Sequence, residues 1–225
     1  MSQGERTSEG GETWARLAER LCFLYPPVLG VGAIGVVREL DPGVPGLQWG
    51  LVLFGTFGYT LLSLGLAVAL FLDARRVRSR SEWAPSPWLN ALFALLLAPV
   101  AGVSYLYRRH RRFSTPAGWH GWWLVIALSL GTTVFAIAGA IVAVILQIPG
   151  LLATVVGIAG AIAVGTFPIA IHQDAAYVSA RGGAWQPNPA GYLGLAFLSL
   201  FVPVLQPVLA GYYLLRRRRA SRRWP

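Results

Sequence analysis

The sequence predicts an all-α, polytopic integral membrane protein: a helical bundle of six apolar segments arranged as two three-segment repeats. Three observations predict it. Hydrophobic residues make up 55% of the 225 positions against 12% charged, with a mean hydropathy of +0.56, far from the balance of a soluble globular domain. Apolar runs long enough to cross a hydrocarbon core of about 30 Å recur along the chain. Part of the chain is also written twice.

The first copy runs Asp73-Ala74-x-x-Val77, Arg80, Trp83-x-Pro85-x-Pro87, an apolar run containing Pro99, then Tyr105 and the basic end Arg108 to Arg112. The second runs Asp174-Ala175-x-x-Val178, Arg181, Trp185-x-Pro187-x-Pro189, an apolar run containing Pro207, then Tyr213 and Arg216 to Arg219. From proline to tyrosine to first arginine the steps are six and three residues in both. Upstream, Pro45-Gly46-Leu47 matches Pro149-Gly150-Leu151, and Gly55-x-x-Gly58 matches Gly157-x-x-Gly160. The expected organisation is therefore a polar tail (1–13), a first repeat (14–112) with segments at about 21–37, 47–72 and 88–107, a second repeat (113–219) with segments at about 122–148, 151–171 and 190–215, and a basic tail (220–225).

Met1 to Thr13 holds almost nothing apolar and is expected to be disordered. Thr13 can cap a helix in which Trp14, Leu17, Leu21 and Leu24 share a face, with Trp14 at headgroup depth. Glu5, Glu9, Glu12 and Glu19 outnumber the nearby arginines and no small-x-small site follows, so an uncleaved first span is expected rather than a secretory signal. Arg38 to Gly46 is a polar, turn-rich break before the second apolar run. Trp122 to Ile171 is fifty residues without a charged side chain, and Pro149-Gly150 predicts a tight turn dividing it into two spans. In the Trp-x-Pro-x-Pro stretches each proline drives its predecessor out of helical geometry, and the second proline suits a first helical turn. Both stretches read as stiff connectors that stop one helix and aim the next. Trp83, Trp88, Trp119, Trp122, Trp123 and Trp185 stand at segment ends, as an interfacial aromatic belt would.

Topology turns on the third segment of each repeat. If all six cross, the side carrying both termini holds 13 arginines and the other six. If segments three and six instead dip in and return near Pro99 and near Pro203 and Pro207, the division is 18 to one, leaving four spans plus two re-entrant hairpins. Charge asymmetry favours the hairpins; length favours six crossings, because 20 apolar residues usually span. The expectation taken forward is six crossings, with the hairpins as the alternative. Either count is even and puts both termini on one side of a cell membrane, the cytoplasmic side by the positive-inside rule.

All 19 basic residues are arginine, giving a net charge of +10. Arginine clusters beside apolar runs imply anionic lipid headgroups as partner rather than nucleic acid, with Arg108, Arg109, Arg111, Arg112, Arg216, Arg217, Arg218 and Arg219 as candidate contacts. Asp73 and Asp174 end apolar segments, where Arg76, Arg80 and Arg181 are candidate interfacial partners. A transporter-like ion or proton site is the sharper alternative. The small faces at Gly55/Gly58 and Gly157/Gly160 predict close helix approach and a possible homo- or hetero-oligomer. Lone Cys22 excludes an internal disulfide, and His110, His120 and His172 lack metal-site spacing. With no nucleophile elbow, phosphate loop or dinucleotide fingerprint, no catalytic, metal or cofactor residue is assigned and an enzyme is not expected.

The series Asp73-Ala74-x-x-Val77, Trp83-x-Pro85-Ser86-Pro87-Trp88 and Tyr105-Leu106-Tyr107-Arg108-Arg109-His110 resembles a module of uncharacterised multi-pass membrane proteins of halophilic archaea. The resemblance covers about residues 73–112, with a degenerate copy at 174–219, and implies a cell-membrane location without transferring any activity. Two function classes follow: a non-enzymatic protein that organises lipids or partner proteins, or a small transporter or channel built from two related halves.

Overall fold

The computed structural model describes residues 3–37, 46–113, 115–116, 118–183, 185–202 and 204–221, and eight helices with short connectors account for them. They are α1 (Gln3–Val37), α2 (Leu47–Arg78), α3 (Pro87–His110), α4 (Trp122–Ile145), α5 (Pro149–Gly165), α6 (Phe167–Ala180), α7 (Pro189–Phe201) and α8 (Leu205–Ser221). The chain falls into two compact units, Met1–Arg108 and Arg109–Pro225. Small side chains fill the interiors, among them Ala18, Ala69, Ala74, Ala94, Ala98, Ala170, Ala175 and Ala196, while Phe57, Leu96, Phe135, Ile145 and Phe201 point outward. Large apolar groups outside and alanines inside are what a lipid solvent selects: burial against lipid costs nothing, and helix contacts rest on close packing.

In the first unit α1 and α2 run antiparallel along glycines. A Cβ on Gly55 would lie 2.6 Å from the Cα of Gly32 and one on Gly58 3.1 Å from Val28, so the two backbones nearly touch. The Gly55/Gly58 face, expected to be available for an oligomer, is therefore covered by α1. Among the described residues nothing stands within 4 Å of a Cβ on Gly157 or Gly160, so the matched sequence pair carries two different environments. Tyr25 donates a 3.4 Å hydrogen bond to Ser63, and Ser63 in turn donates to the Tyr59 carbonyl at 2.8 Å. At the far end the Arg76 guanidinium lies over Trp14. The polar stretch from Gln3, expected to be disordered, is helical and continuous with the span in α1.

In the second unit α4 and α5 pack antiparallel, but the turn between them comes before Pro149-Gly150, at Leu146 to Ile148. Gln147 takes a left-handed conformation with φ of 55°. Its N–H donates to the Val144 carbonyl and that of Ile148 to Ala143, a Schellman termination of α4 built on a non-glycine residue. Pro149 is then the first residue of α5, where its missing N–H costs nothing. α5 and α6 form one bent span, Val155–Ala180. The bend is at Thr166, two residues before Pro168, which cannot donate to the Val164 carbonyl.

Segments three and six are the main correction. Pro87–His110 has the length and apolarity to cross a membrane, yet Leu97, two residues before Pro99, has φ −140° and ψ 61°, and the helix breaks there. Gly102 of its second half packs against Leu66, and Tyr105 reaches Asp73, so this half runs parallel to α2. A straight helix in that register would place Trp88 level with about Thr56, roughly 22 Å from Phe71 at 1.5 Å per residue. Trp88 instead packs edge-on against Phe71 with 4.8 Å between ring centroids, so the first half runs back alongside the second. Segment six repeats the geometry in two separate helices. Tyr192 near the start of α7 and Tyr213 in the middle of α8 would be roughly 32 Å apart in a straight helix, yet their rings are 5.0 Å apart. Val202, with φ −129° and ψ 86°, reverses the chain, and its carbonyl accepts from Leu205 N at 2.9 Å. Both segments double back on themselves, the geometry of the hairpin alternative and not of two straight crossings. α7 is about 20 Å long, short of the hydrocarbon thickness.

A hairpin tip inside lipid must satisfy its backbone against protein. That of segment six is tied to α4: Thr133 donates a 2.6 Å hydrogen bond to Gln206, which is buried just after the reversal. The expected break at 38–45, the bend at Pro203 and the tail arginines Arg222 and Arg223 lie outside the described residues.

Candidate functional site

Each hairpin is latched to the preceding span by the same three residue types. Ser86 and Asn188 precede the proline that opens the hairpin, and each caps it: Leu89 N donates to Ser86 Oγ at 3.4 Å and Gly191 N to Asn188 Oδ1 at 3.2 Å. The prolines of the connectors, Pro85, Pro87, Pro187 and Pro189, are buried. This geometry turns the connector tryptophan onto the tyrosine at the hairpin's end. Trp83 lies 5.5 Å from Tyr105 and Trp185 5.3 Å from Tyr213, centroid to centroid. Beneath each ring pair the tyrosine hydroxyl donates to a fully buried carboxylate, Tyr105 to Asp73 at 2.7 Å and Tyr213 to Asp174 at 2.8 Å.

The sequence placed Asp73 and Asp174 among solvated interfacial pairs. The structure buries both, at 0% exposure. For Asp174 it also changes the partner. Oδ2 accepts a second hydrogen bond, from Arg217 Nε at 2.7 Å, an ion pair whose arginine is 21% exposed. Oδ1 is buried and accepts no hydrogen bond from any described residue. Arg181, the expected partner, instead folds onto Tyr177, its guanidinium 4.5 Å from the ring centroid and bonded to the hydroxyl. Arg217, expected to face headgroups with its neighbours, turns inward. The signal was present in the spacing: Arg217 is one helical turn after Tyr213, so both reach one carboxylate, and Arg181 is one turn after Tyr177. Arg76 lies over Trp14, while Arg80 is exposed just past the end of α2.

The remaining arginines behave as a rim. Arg108, Arg111, Arg112, Arg216, Arg218 and Arg219 are exposed, and Arg109 is half-buried over Phe113. Because the hairpins return, Arg108 comes back to the end of its unit that carries Arg75 to Arg80. In the second unit, His110 joins Thr115 at 2.7 Å and Ser179 at 3.2 Å, which brings Arg109 to Arg112 to the end that carries Arg181 and Arg216 to Arg219. In each unit helix C-termini lie at the basic end, that of α2 in the first and those of α6 and α8 in the second, so the cations also meet the negative poles of these helices.

At that end of the second unit lies a cleft of about 280 Å³ lined by His120, Trp123, Tyr177, Val178, Arg181, Arg217 and Ala220. Arg217 stretches from Asp174 across the face of Trp123, 5.7 Å from the centroid. Two guanidiniums, an imidazole and two aromatic rings line it, and no acidic side chain does. That donor set suits an anion. Among the described residues no three His, Cys, Asp or Glu side chains gather as metal ligands would. Comparison of the chain with protein-family models, curated proteins and solved structures gave no match.

Proposed function

We propose that this chain is a non-enzymatic, multi-pass protein of the cell membrane that gathers anionic lipids at its arginine-rich face, its termini on the cytoplasmic side. The observation that carries the reading is the return of both hairpins, which in each unit gathers the basic stretches at one end of that unit instead of dividing them between its two ends. Juxtamembrane arginines near an anionic leaflet contribute about 1 kcal/mol each, so a collected rim gives a strong preference where a divided one does not. The matched latches support descent of the two units from one duplicated module, in keeping with the resemblance to membrane proteins of halophilic archaea.

The test is lipid-dependent stability of the purified protein in detergent. Phosphatidylglycerol should raise the melting temperature and phosphatidylcholine should not. Replacing Arg108, Arg111, Arg112, Arg216, Arg218 and Arg219 by Gln should shrink the difference. Equal effects of the two lipids on the unaltered protein would refute the reading.

A second reading, a small transporter or channel, is favoured by one observation: interrupted membrane segments that present a buried carboxylate in each unit, as discontinuous helices do in many transporters. Proton or cation flux in proteoliposomes that disappears in Asp73→Asn and Asp174→Asn variants would select it over the first.

A further inference from the structure

We propose that the cleft between Trp123, Tyr177, Arg181 and Arg217 is a discrete binding site for one phosphate ester group. It rests on the anionic-lipid reading and narrows it from a diffuse rim to a single seat. The argument starts from how the two arginines are held. A guanidinium carries five N–H donors in a planar fork that matches phosphate oxygens, but a free arginine loses rotamer entropy when it binds. Here that ordering is already in place. Arg217 is fixed through Nε by Asp174 and lies over Trp123, and with Nε engaged its terminal nitrogens are the donors that remain. Arg181 lies over the ring of Tyr177 with its guanidinium against the hydroxyl. Both line the same cleft.

Asp174 therefore acts as a positioning residue: buried behind Arg217, it holds the guanidinium without entering the cleft lining. Arg216, next to Arg217 in sequence, is spent differently, lying 6.0 Å from the centroid of Trp185 and 5.9 Å from that of Tyr212, and Arg218 and Arg219 are exposed and outside the cleft. Volume agrees, since about 280 Å³ accommodates a phosphate with a small polar substituent but not a second acyl chain. The cleft lies at the basic end of the unit, where both a lipid headgroup and a water-soluble phosphate ester are within reach. The shared chemistry is the phosphate.

The experiment uses the full-length protein in detergent and counts bound phosphatidylglycerol by native mass spectrometry as the lipid is titrated. One tightly held lipid is expected in the unaltered protein. Arg181→Gln, which removes an exposed donor, and Ala220→Trp, which fills the cleft without changing charge, should each weaken that first lipid at least about tenfold, against less than about twofold for Arg218→Gln. Thermal unfolding of each variant shows that it folds. If Arg181→Gln and Ala220→Trp bind the first lipid as the unaltered protein does, the site is overturned while the anionic-lipid reading stands. If the unaltered protein holds phosphatidylglycerol no better than phosphatidylcholine, both fall. Competition by glycerol phosphate identifies a soluble ester as the occupant, and failure to compete identifies the headgroup; either outcome supports the site once the variants respond.

Discussion

Tyr213 donates a 2.8 Å hydrogen bond to Asp174 from the far end of a hairpin, 39 residues along the chain, and Tyr105 does the same to Asp73. The bond closes the hairpin onto the span it left. Bonds to a carboxylate are worth about 1.5–3 kcal/mol, and a buried acceptor left unmatched adds its own penalty. Tyr213→Phe and Tyr105→Phe should therefore each lower the detergent-phase unfolding free energy by about that amount while leaving helix content by circular dichroism unchanged. An unchanged melting temperature in both would mean that the latches are incidental.

Arg217 and Asp174 should be strongly coupled. Removing one member of a buried ion pair costs about 3–5 kcal/mol, because a buried charge is left without its counter-charge. Arg217→Gln alone should be severely destabilising, and the double variant Asp174→Asn/Arg217→Gln markedly less so. A double-mutant cycle in equilibrium unfolding measures the difference. Simple additivity would show that the pair carries little.

These contacts mark the limit of what the sequence carried. The repeated spacing singled out the aspartates, tyrosines and connector tryptophans, and it did so without saying that they meet. From sequence the aspartates read as solvated, because a position at the end of an apolar run looks the same whether a hairpin folds back over it or not. Only the returning chain buries it. Segment three posed the same difficulty, since twenty apolar residues containing Pro99 describe a kinked crossing and a hairpin equally well. The deciding contact, Trp88 on Phe71, is long-range. Arginine asymmetry did point to the hairpins, through electrostatics that act across the whole membrane and not through local pattern.

Gly55 and Gly157 occupy matched positions with different surroundings, and substitution should separate them. Gly55→Ala forces a methyl to 2.6 Å from the Gly32 backbone, which α1 and α2 relieve only by moving apart, at a cost of about 1–3 kcal/mol. Gly157→Ala meets open space and should be neutral or slightly stabilising, since alanine is the better helix former. Thermal unfolding of the two variants side by side tests the assignment, and equal effects would contradict it.

Gln147 bears the strain of the α4–α5 turn. With φ at 55° it occupies a region where glycine rests at little cost, so Gln147→Gly should stabilise by about 0.5–1 kcal/mol. A loss of stability would place the turn in another conformation.

The return of the two hairpins is tested most directly by membrane-sided labelling of single cysteines in a Cys22→Ser background. Glu82 and Arg108 flank segment three, Ala180 and Arg219 flank segment six, and Gln147 lies at the turn between α4 and α5. Labelling should find Glu82 and Arg108 on one side, Ala180 and Arg219 on that same side, and Gln147 on the other. Opposite sides within either flanking pair would show that the segment crosses, and would contradict the account.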